Sequence, residues 1–378
     1  MRFIKILLIL LPGLVWAQLT WICATNGAGW SARQKFASAV FQNKLWVLGG
    51  QEATRKNDVW YSEDGINWVC ATNQASWSAR RGHAVAVFQN KLWVIGGYDG
   101  ARKNDLWTSE DGSTWVNIPV LPPWIEREYH TAVVFDNKLW ILGGYTGTYS
   151  NDVWYTPDGI TWICATAQAP WSARYWHAAT VFADHIWVIG GSDGSLKNDV
   201  WASPDGSTWY CATSNANWSP RRSHTVVSYD NKLWVLGGLN ASGQRLNDVW
   251  ASENGTDWTC INQAAEWTAR YEHNSQVYDN KIWVLGGYDG ARRNDVWYAL
   301  SASAITEPEL NKTKIFYDAR SQSLVLNATV SRLKIYSLAG SLVKVIFCPA
   351  HTVSVSNLAP GVYFVQTDRG LSKLIIRD

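Results

Sequence analysis

A pair of glycines returns along this chain like a clock: Gly49-Gly50, Gly96-Gly97, Gly143-Gly144, Gly190-Gly191, Gly237-Gly238 and Gly286-Gly287. Four of the intervals are 47 residues and the last is 49. Of the 26 tryptophans, all but Trp16 and Trp176 fall on four columns locked to the same period. The third copy reads Trp124, then Trp140-Ile-Leu-Gly-Gly, then Asn151-Asp152-Val153-Trp154, then Asp158-Gly159-Ile160-Thr161-Trp162. Self-similarity at this period means stacked supersecondary units, and it outweighs local propensity.

Each copy carries four short β-rich runs. In the second they are His83 to Phe88, Lys91 to Ile95, Asn104 to Thr108 and Thr114 to Asn117. The runs are rich in Val, Ile, Trp and Phe and too short for helices. Gln89-Asn90, Gly96-Gly97 and Glu110-Asp111-Gly112 read as hairpin-type breaks between them. Four antiparallel strands per repeat without helical periodicity predict an all-β, six-bladed β-propeller. The sixth copy stops after Asn294-Asp295-Val296-Trp297, and the missing outer strand is found at the other end of the chain. Leu19-Thr20-Trp21-Ile22-Cys23 matches Ile160-Thr161-Trp162-Ile163-Cys164. The N-terminal strand is therefore expected to complete the last blade and close the ring, leaving no open edge.

The glycine pair after an apolar strand, followed by two spaced tryptophans, resembles the kelch family over roughly Thr20 to Leu300. The Asn-Asp-Val-Trp and Ser-x-Asp-Gly wording is similar to bacterial kelch proteins. The resemblance implies a binding surface on the face where two loops open around the axis. These are the loop after the glycine pair and the loop bearing the arginine described below.

Both termini suggest an address. Residues 1–17 have Arg2 and Lys5, an apolar core from Ile6 to Val15 and Ala17, the pattern of a secretory signal peptide too short to span a bilayer. No other segment has spanning length. The propeller is expected over 18–300, a linker containing Glu307-Pro308-Glu309 over 301–312, and a small β-sandwich over 313–378. Seven runs alternate in that last stretch: Lys314 to Tyr317, Ser323 to Asn327, Arg332 to Leu338, Ser341 to Phe347, His351 to Ser356, Val362 to Thr367 and Ser372 to Ile376. Leu333-Lys334-Ile335-Tyr336-Ser337-Leu338-Ala339-Gly340, Leu358-Ala359-Pro360-Gly361-Val362-Tyr363 and Lys373-Leu374-Ile375-Ile376 resemble the C-terminal sorting domain of the type IX secretion system. Phe316-Tyr317-Asp318-Ala319 stands where that family usually opens with Tyr-Pro-Asn-Pro. The resemblance implies passage across the outer membrane of a Bacteroidetes-type bacterium, followed by release or surface attachment.

A net charge of +2 with scattered Lys and Arg does not suggest a nucleic-acid protein. Cys23, Cys70, Cys164, Cys211 and Cys260 each stand two residues after the last tryptophan of their repeat. Equivalent outer strands of neighbouring blades lie on the order of 15–20 Å apart, beyond the roughly 7 Å a disulfide allows. Five separate buried thiols are expected, and neither a metal nor a cofactor site is read from the sequence.

Comparing the copies separates scaffold from candidate site. The tryptophan columns read as packing, although the loop column Trp30/Trp77/Trp124/Trp171/Trp218/Trp267 could stack on sugars. The Asn-Asp pairs and Asp-Gly turns read as local backbone capping. Arg33, Arg80, Arg127, Arg174, Arg221 and Arg270 stand three residues after that loop tryptophan. They either bridge neighbouring blades or form a guanidinium ring that would hold an anionic group bidentately at the channel mouth. Three residues further come His83, His130, His177, His224 and His273, with Phe36 in the first copy, read as core. Between Arg and His every copy differs: Gln34-Lys35, Arg81-Gly82, Glu128-Tyr129, Tyr175-Trp176, Arg222-Ser223 and Tyr271-Glu272. The residues after the glycine pair vary too, with Tyr98, Tyr145 and Tyr288 among them. The candidate ligand contacts are therefore the six arginines with Tyr98, Tyr145, Tyr288, Tyr175, Trp176, Glu128 and Glu272. Trp176 is foremost, as the one tryptophan of the mature chain outside the columns.

The expected function is a secreted or surface-bound monomeric binding module for a glycan or protein, since Tyr, Trp and Arg are the usual anchors of interfaces. No catalytic motif is present. The alternative is a carbohydrate-active enzyme on the same scaffold, such as a sialic-acid mutarotase-like epimerase, with Glu128, Glu272 and His177 moving protons. Kelch copper oxidases place a Tyr-Cys cofactor on a larger ring, and the cysteines here lie in the wrong strand.

Overall fold

The computed structural model describes residues 19–300 and, within 315–376, the strands named below; the expected signal peptide and linker lie outside the described residues. The chain divides into two compact units at residue 299.

The first unit is built of four antiparallel strands per repeat, a separate sheet in each of four repeats, with the fourth and fifth repeats joined into one nine-stranded sheet by the short strand Arg221–Arg222. The second repeat shows the plan: Ala84–Phe88 innermost, then Lys91–Tyr98, Arg102–Ser109 and Val116–Asn117 outermost. Gln89 and Asn90, at φ 49° and 57°, make the first hairpin turn, as their residue types predict. The last repeat takes its outer strand from the other end of the unit: Thr20–Thr25 pairs with Arg292–Leu300, which pairs in turn with Lys281–Tyr288. Trp21 packs edge-on against Trp267 of that repeat at 5.8 Å.

The glycine pair is not a break. Each pair lies inside the second strand, where the register shifts between residues such as Ile95 and Gly97. It is a bulge, and its backbone demands glycine twice over. Gly96 and Gly97 sit at φ 56° and 97°, and a Cβ on Gly97 would lie 2.7 Å from the Cβ of His83. The bulge turns the carbonyl of Gly96 toward the arginine of its own repeat.

The core between sheets is aliphatic and aromatic. The second strands are buried between their end residues, as in Leu92, Trp93, Val94 and Ile95. The loop tryptophans, from Trp30 to Trp267, are all buried and meet the outer-strand tryptophans edge to face, as Trp77 does Trp115 at 5.9 Å. They are packing, not sugar platforms. Cys70, Cys164 and Cys211 are exposed and Cys23 and Cys260 half-buried, which corrects the expectation of buried thiols. The outer strand is the edge of its sheet, and at its start the cysteine is exposed together with the residue before it, as in Val69-Cys70 and Ile163-Cys164. None of the five is in a disulfide.

The second unit holds one five-stranded sheet. Ile315–Asp318, Ser323–Ser337, Gly361–Thr367 and Gly370–Ile376 follow one another, and Leu342–Ser354 also pairs with Ser323–Ser337. Two pairs of predicted runs are thus fused into long strands, bent where the register shifts between Val325 and Val330. Among the described residues no helix is long and apolar enough to cross a membrane.

Candidate functional site

The innermost strands of all six repeats line one central cavity of about 280 Å³. Its walls carry Phe36, His83, His130, His177, His224 and His273 at one level, with small residues such as Ala84 and Ala178 beyond them. Burial, with the charge of the neighbouring arginine adding to it, drives these imidazoles neutral. The pKa falls to about 3 for His83, His177 and His273. His177 and His273 meet the Thr131 and Thr225 hydroxyls of the preceding repeat at 3.0 and 3.1 Å.

The six arginines do not face the cavity. Each is fully buried, at 0 % exposure. Arg80 donates from both terminal nitrogens to Asp105, at 2.7 and 2.8 Å, and from Nη1 to the Gly96 carbonyl at 2.8 Å. Its guanidinium carbon lies 5.9 Å from the Trp77 ring centroid. The same fork recurs at Arg33–Asp58, Arg127–Asp152, Arg174–Asp199, Arg221–Asp248 and Arg270–Asp295. Burial alone would raise the Asp105 carboxyl, but the hydrogen bonds and charge of Arg80 outweigh it and hold it below the usual carboxylate range. A guanidinium already held bidentately has no fork left for an anion. Arg33, Arg80, Arg127, Arg174, Arg221 and Arg270 therefore leave the list of ligand contacts. The Asn-Asp pair is corrected as well. Its Asp is the counter-ion and also accepts from the next tryptophan (Trp107 Nε1 to Asp105 Oδ2, 2.8 Å). Its Asn ties down the next repeat, as Asn57 does through the Ala75 and Trp77 carbonyls.

What surrounds the cavity opening is the second residue of each variable pair. Lys35, Gly82, Tyr129, Trp176, Ser223 and Glu272 all take left-handed backbone, with φ between 54° and 60°. Each N–H donates to the carbonyl of its counterpart in the preceding repeat. Gly82 bonds Lys35 at 3.1 Å, Tyr129 bonds Gly82 at 2.8 Å and Trp176 bonds Tyr129 at 3.3 Å. Ser223 bonds Trp176 and Glu272 bonds Ser223, each at 3.0 Å, and Lys35 bonds Glu272 at 3.4 Å. The six residues form a closed collar. The first residue of each pair forms a short ladder with the residue after the glycine pair: Gln34 with Gln51, Arg81 with Tyr98, Glu128 with Tyr145, Tyr175 with Ser192 and Tyr271 with Tyr288, and Arg222 with Leu239. The two variable sets are thus cross-strand neighbours around one opening.

Their side chains interlock. Tyr175 stacks on Trp176 at 4.1 Å and on Tyr149 at 5.1 Å, and Arg222 lies over the Trp176 ring at 4.2 Å. Tyr129 meets Trp176 at 4.8 Å and lies across Gly82, where a Cβ would come within 2.9 Å of its ring. Glu128 stands 3.8 Å from Arg81 Nε and 3.9 Å from Arg102 Nε. Glu272 stands 3.7 Å from Lys35 Nζ. Burial raises the carboxyl of Glu128 and pushes Glu272 up to about 7, against the opposing charges of Lys35, Arg222 and Arg81. Burial, with the charges of both glutamates, also raises Tyr129.

Of the predicted contacts, Glu128, Tyr145, Tyr175 and Trp176 meet directly or through shared neighbours on the third and fourth repeats. Tyr98 lies beside Arg81 at 5.0 Å, and Tyr288 beside Tyr271 at 5.5 Å. Arg102, which lies over Tyr145 at 4.5 Å, and Tyr149 were missed. Both stand at the start of a third strand, where the repeats also differ (Arg55, Arg102, Tyr149, Leu196, Arg245, Arg292); that variation was the available signal.

Repeated four-stranded antiparallel sheets around a shared cavity define a β-propeller. The KLHDC2/KLHL20/DRC7 Kelch-repeats domain model matches residues 67–217 and again 177–329, and the chain belongs to the Kelch-repeat family. No curated protein matches it as a relative.

Proposed function

We propose that the protein is an exported binding module: a six-bladed ring, closed by the Thr20–Thr25 strand, whose glycan or protein ligand docks at the collar. The observation that carries this reading is the placement of the non-repeating residues. Aromatic and charged side chains that a scaffold alone does not need converge on one opening, and the repeating ones are consumed in packing. Tyr, Trp and Arg in such a cluster are the usual anchors of recognition. The test is a binding screen of the full-length protein against immobilised glycans and a displayed peptide library. Trp176→Ala is expected to abolish what the parent protein binds. A ligand bound equally by the variant places the site elsewhere.

Residues 1–17 serve as a signal peptide and 313–378 as a type IX sorting domain in this reading, for a Bacteroidetes-type source; the sequence motifs at both ends support it. Fractionation of the producing cells should place the protein at the surface or in the medium, with a mature terminus at Gln18. A purely cytoplasmic product starting at Met1 would overturn the export reading.

A second reading, a carbohydrate-active enzyme such as a sialic-acid mutarotase-like epimerase, is favoured by Glu272, a carboxyl that titrates near neutrality beside the cavity. Against it, His177 is buried and engaged with Thr131. Anomer exchange followed by NMR, with Glu272→Gln as control, tests it.

A further inference from the structure

Resting on the reading of the collar as a ligand site, a further pattern identifies the chemistry of the ligand. Among the described residues, six buried polar atoms of the collar and its flanking residues have no hydrogen-bond partner, Gln34 Oε1, Arg81 Nε, Arg102 Nε, Glu128 Oε2, Trp176 Nε1 and Glu272 Oε2, as do several ring nitrogens of the cavity histidines below them. The side chains of Glu128 and Glu272 are only 7 % and 6 % exposed. Elsewhere the unpaired buried atoms are largely ring nitrogens of tryptophans and histidines, whereas at the opening guanidinium, carboxylate and amide groups share that state, and buried groups of that kind call for a partner from outside.

Three of the atoms donate and three accept. A phosphate or sulfate offers acceptors only, and an ammonium donors only. A hydroxyl offers both. Four cations stand around the opening, Lys35 beside Glu272, Arg81 and Arg102 beside Glu128, and Arg222 over Trp176; the two carboxylates offset part of that charge, and a ligand of acceptors alone would leave them without a donor. A polypeptide would bring both donors and acceptors, and one way it could bind, by adding a strand, needs free backbone edges to pair with. Here the collar N–H groups bond to collar carbonyls, and the flanking ladders are paired. The cavity of about 280 Å³ also falls just below the roughly 300–1,000 Å³ typical of ligand pockets, small for a peptide segment and adequate for a single ring.

We propose that the collar is a saccharide site, seating one terminal sugar residue whose hydroxyls bond to the unpartnered donors and acceptors. The carboxylates of Glu128 and Glu272 accept from hydroxyls, and Arg81, Arg102 and Trp176 donate to them. Tyr149, stacked on Tyr175 and 37 % exposed, offers a ring face at the rim for the next residue of the chain.

The test places full-length protein on an array of neutral hexosides, hexosamines and short oligosaccharides, followed by calorimetry with the best binder. Trp176→Phe keeps a ring but removes the Nε1 donor. Arg81→Lys keeps the charge but removes the Nε. Each is expected to weaken saccharide binding by about 5- to 10-fold, the worth of one lost hydrogen bond. Ile66→Ser, on the exposed outer edge, leaves binding unchanged, and thermal melts verify that all variants fold. The proposal is overturned if no saccharide binds, if both collar variants bind one as the parent does, or if inorganic sulfate displaces it completely. A displayed random-peptide library separates this from failure of the underlying reading. Peptides captured by the parent and lost in both collar variants would keep the collar as the ligand site and overturn only the saccharide. Ligands indifferent to both variants would overturn both.

Discussion

The backbone N–H of Lys35 donates to the carbonyl of Glu272 at 3.4 Å, and the same two side chains face each other with Nζ 3.7 Å from Oε1. These residues belong to the first and last repeats, 237 positions apart in the chain. Their bond completes the collar and is the longest of its six. The seam between the two ends of the repeat array therefore coincides with the one collar carboxylate, and its protonation state bears on both.

That coincidence predicts a pH effect with a definite sign. Glu272 titrates near 4.5 when unfolded and near 7 when folded, so the native state holds the extra proton between those values. The contribution of the protonated form is complete below about pH 4.5 and is lost as pH rises through 7. Relative to the parent, Glu272→Gln should gain stability as pH climbs from 5 to 8. Parallel urea titrations across that range check it, and a constant difference between the two proteins would contradict the assignment.

The buried arginine forks should be structural. Arg174→Ala leaves the half-buried Asp199 beside Trp201 without its counter-charge, and the Gly190 carbonyl without its donor. Breaking such a pair from one side typically costs about 3–5 kcal/mol. Denaturant unfolding should show a loss of that order. A fully stable Arg174→Ala protein with altered ligand binding would restore the arginine to the site.

Neighbouring repeats also interlock at their outer turns. Gly112, at φ 76°, lies against the indole of Trp46 in the repeat before it, where a Cβ would stand 2.1 Å from the ring. Gly159 on Trp93 and Gly206 on Trp140 repeat the contact. Gly112→Ala combines overpacking with a disfavoured backbone, and a loss of about 2–4 kcal/mol is expected. A thermal melt indistinguishable from the parent would contradict the contact.

The exposed thiols should react in the folded protein. Iodoacetamide under native conditions is expected to modify Cys70, Cys164 and Cys211, slowly, because burial holds their pKa values above the usual range. Peptide mapping by mass spectrometry reads this directly, and labelling that appears only after denaturation would contradict the exposure.

The architecture was legible because the same residues solve the same packing problem six times. Trp46, Gly49 and Asp58 each have a counterpart in every copy, and comparing copies exposes what the fold requires. The same comparison misled where a repeated residue is charged. Arg80 and Asp105 are far apart in sequence, and periodicity cannot show that one neutralises the other. The glycine pair was read as a turn because glycine marks both turns and bulges, and only the close approach of His83 separates them. Of the site, the variable pairs were visible as variation. Their assembly into a collar was not, because a left-handed backbone at Lys35, Tyr129, Trp176 and Glu272 leaves no trace in residue type.

The collar's hydrogen bonds all point the same way around the axis, each N–H toward the preceding repeat. Peptide dipoles arranged head to tail in a circle cancel, unlike those of a helix, which add to a charge at each end. The opening is therefore electrostatically blank as far as the main chain is concerned. Its potential is written by side chains alone, those of the collar together with Arg81, Arg102, Glu128 and Arg222 around them, and a collar side chain can be exchanged without removing a backbone bond. A single ring of this design can thus be retuned from one ligand to another at Lys35, Tyr129, Trp176, Ser223 and Glu272, with no change to the strands that carry them.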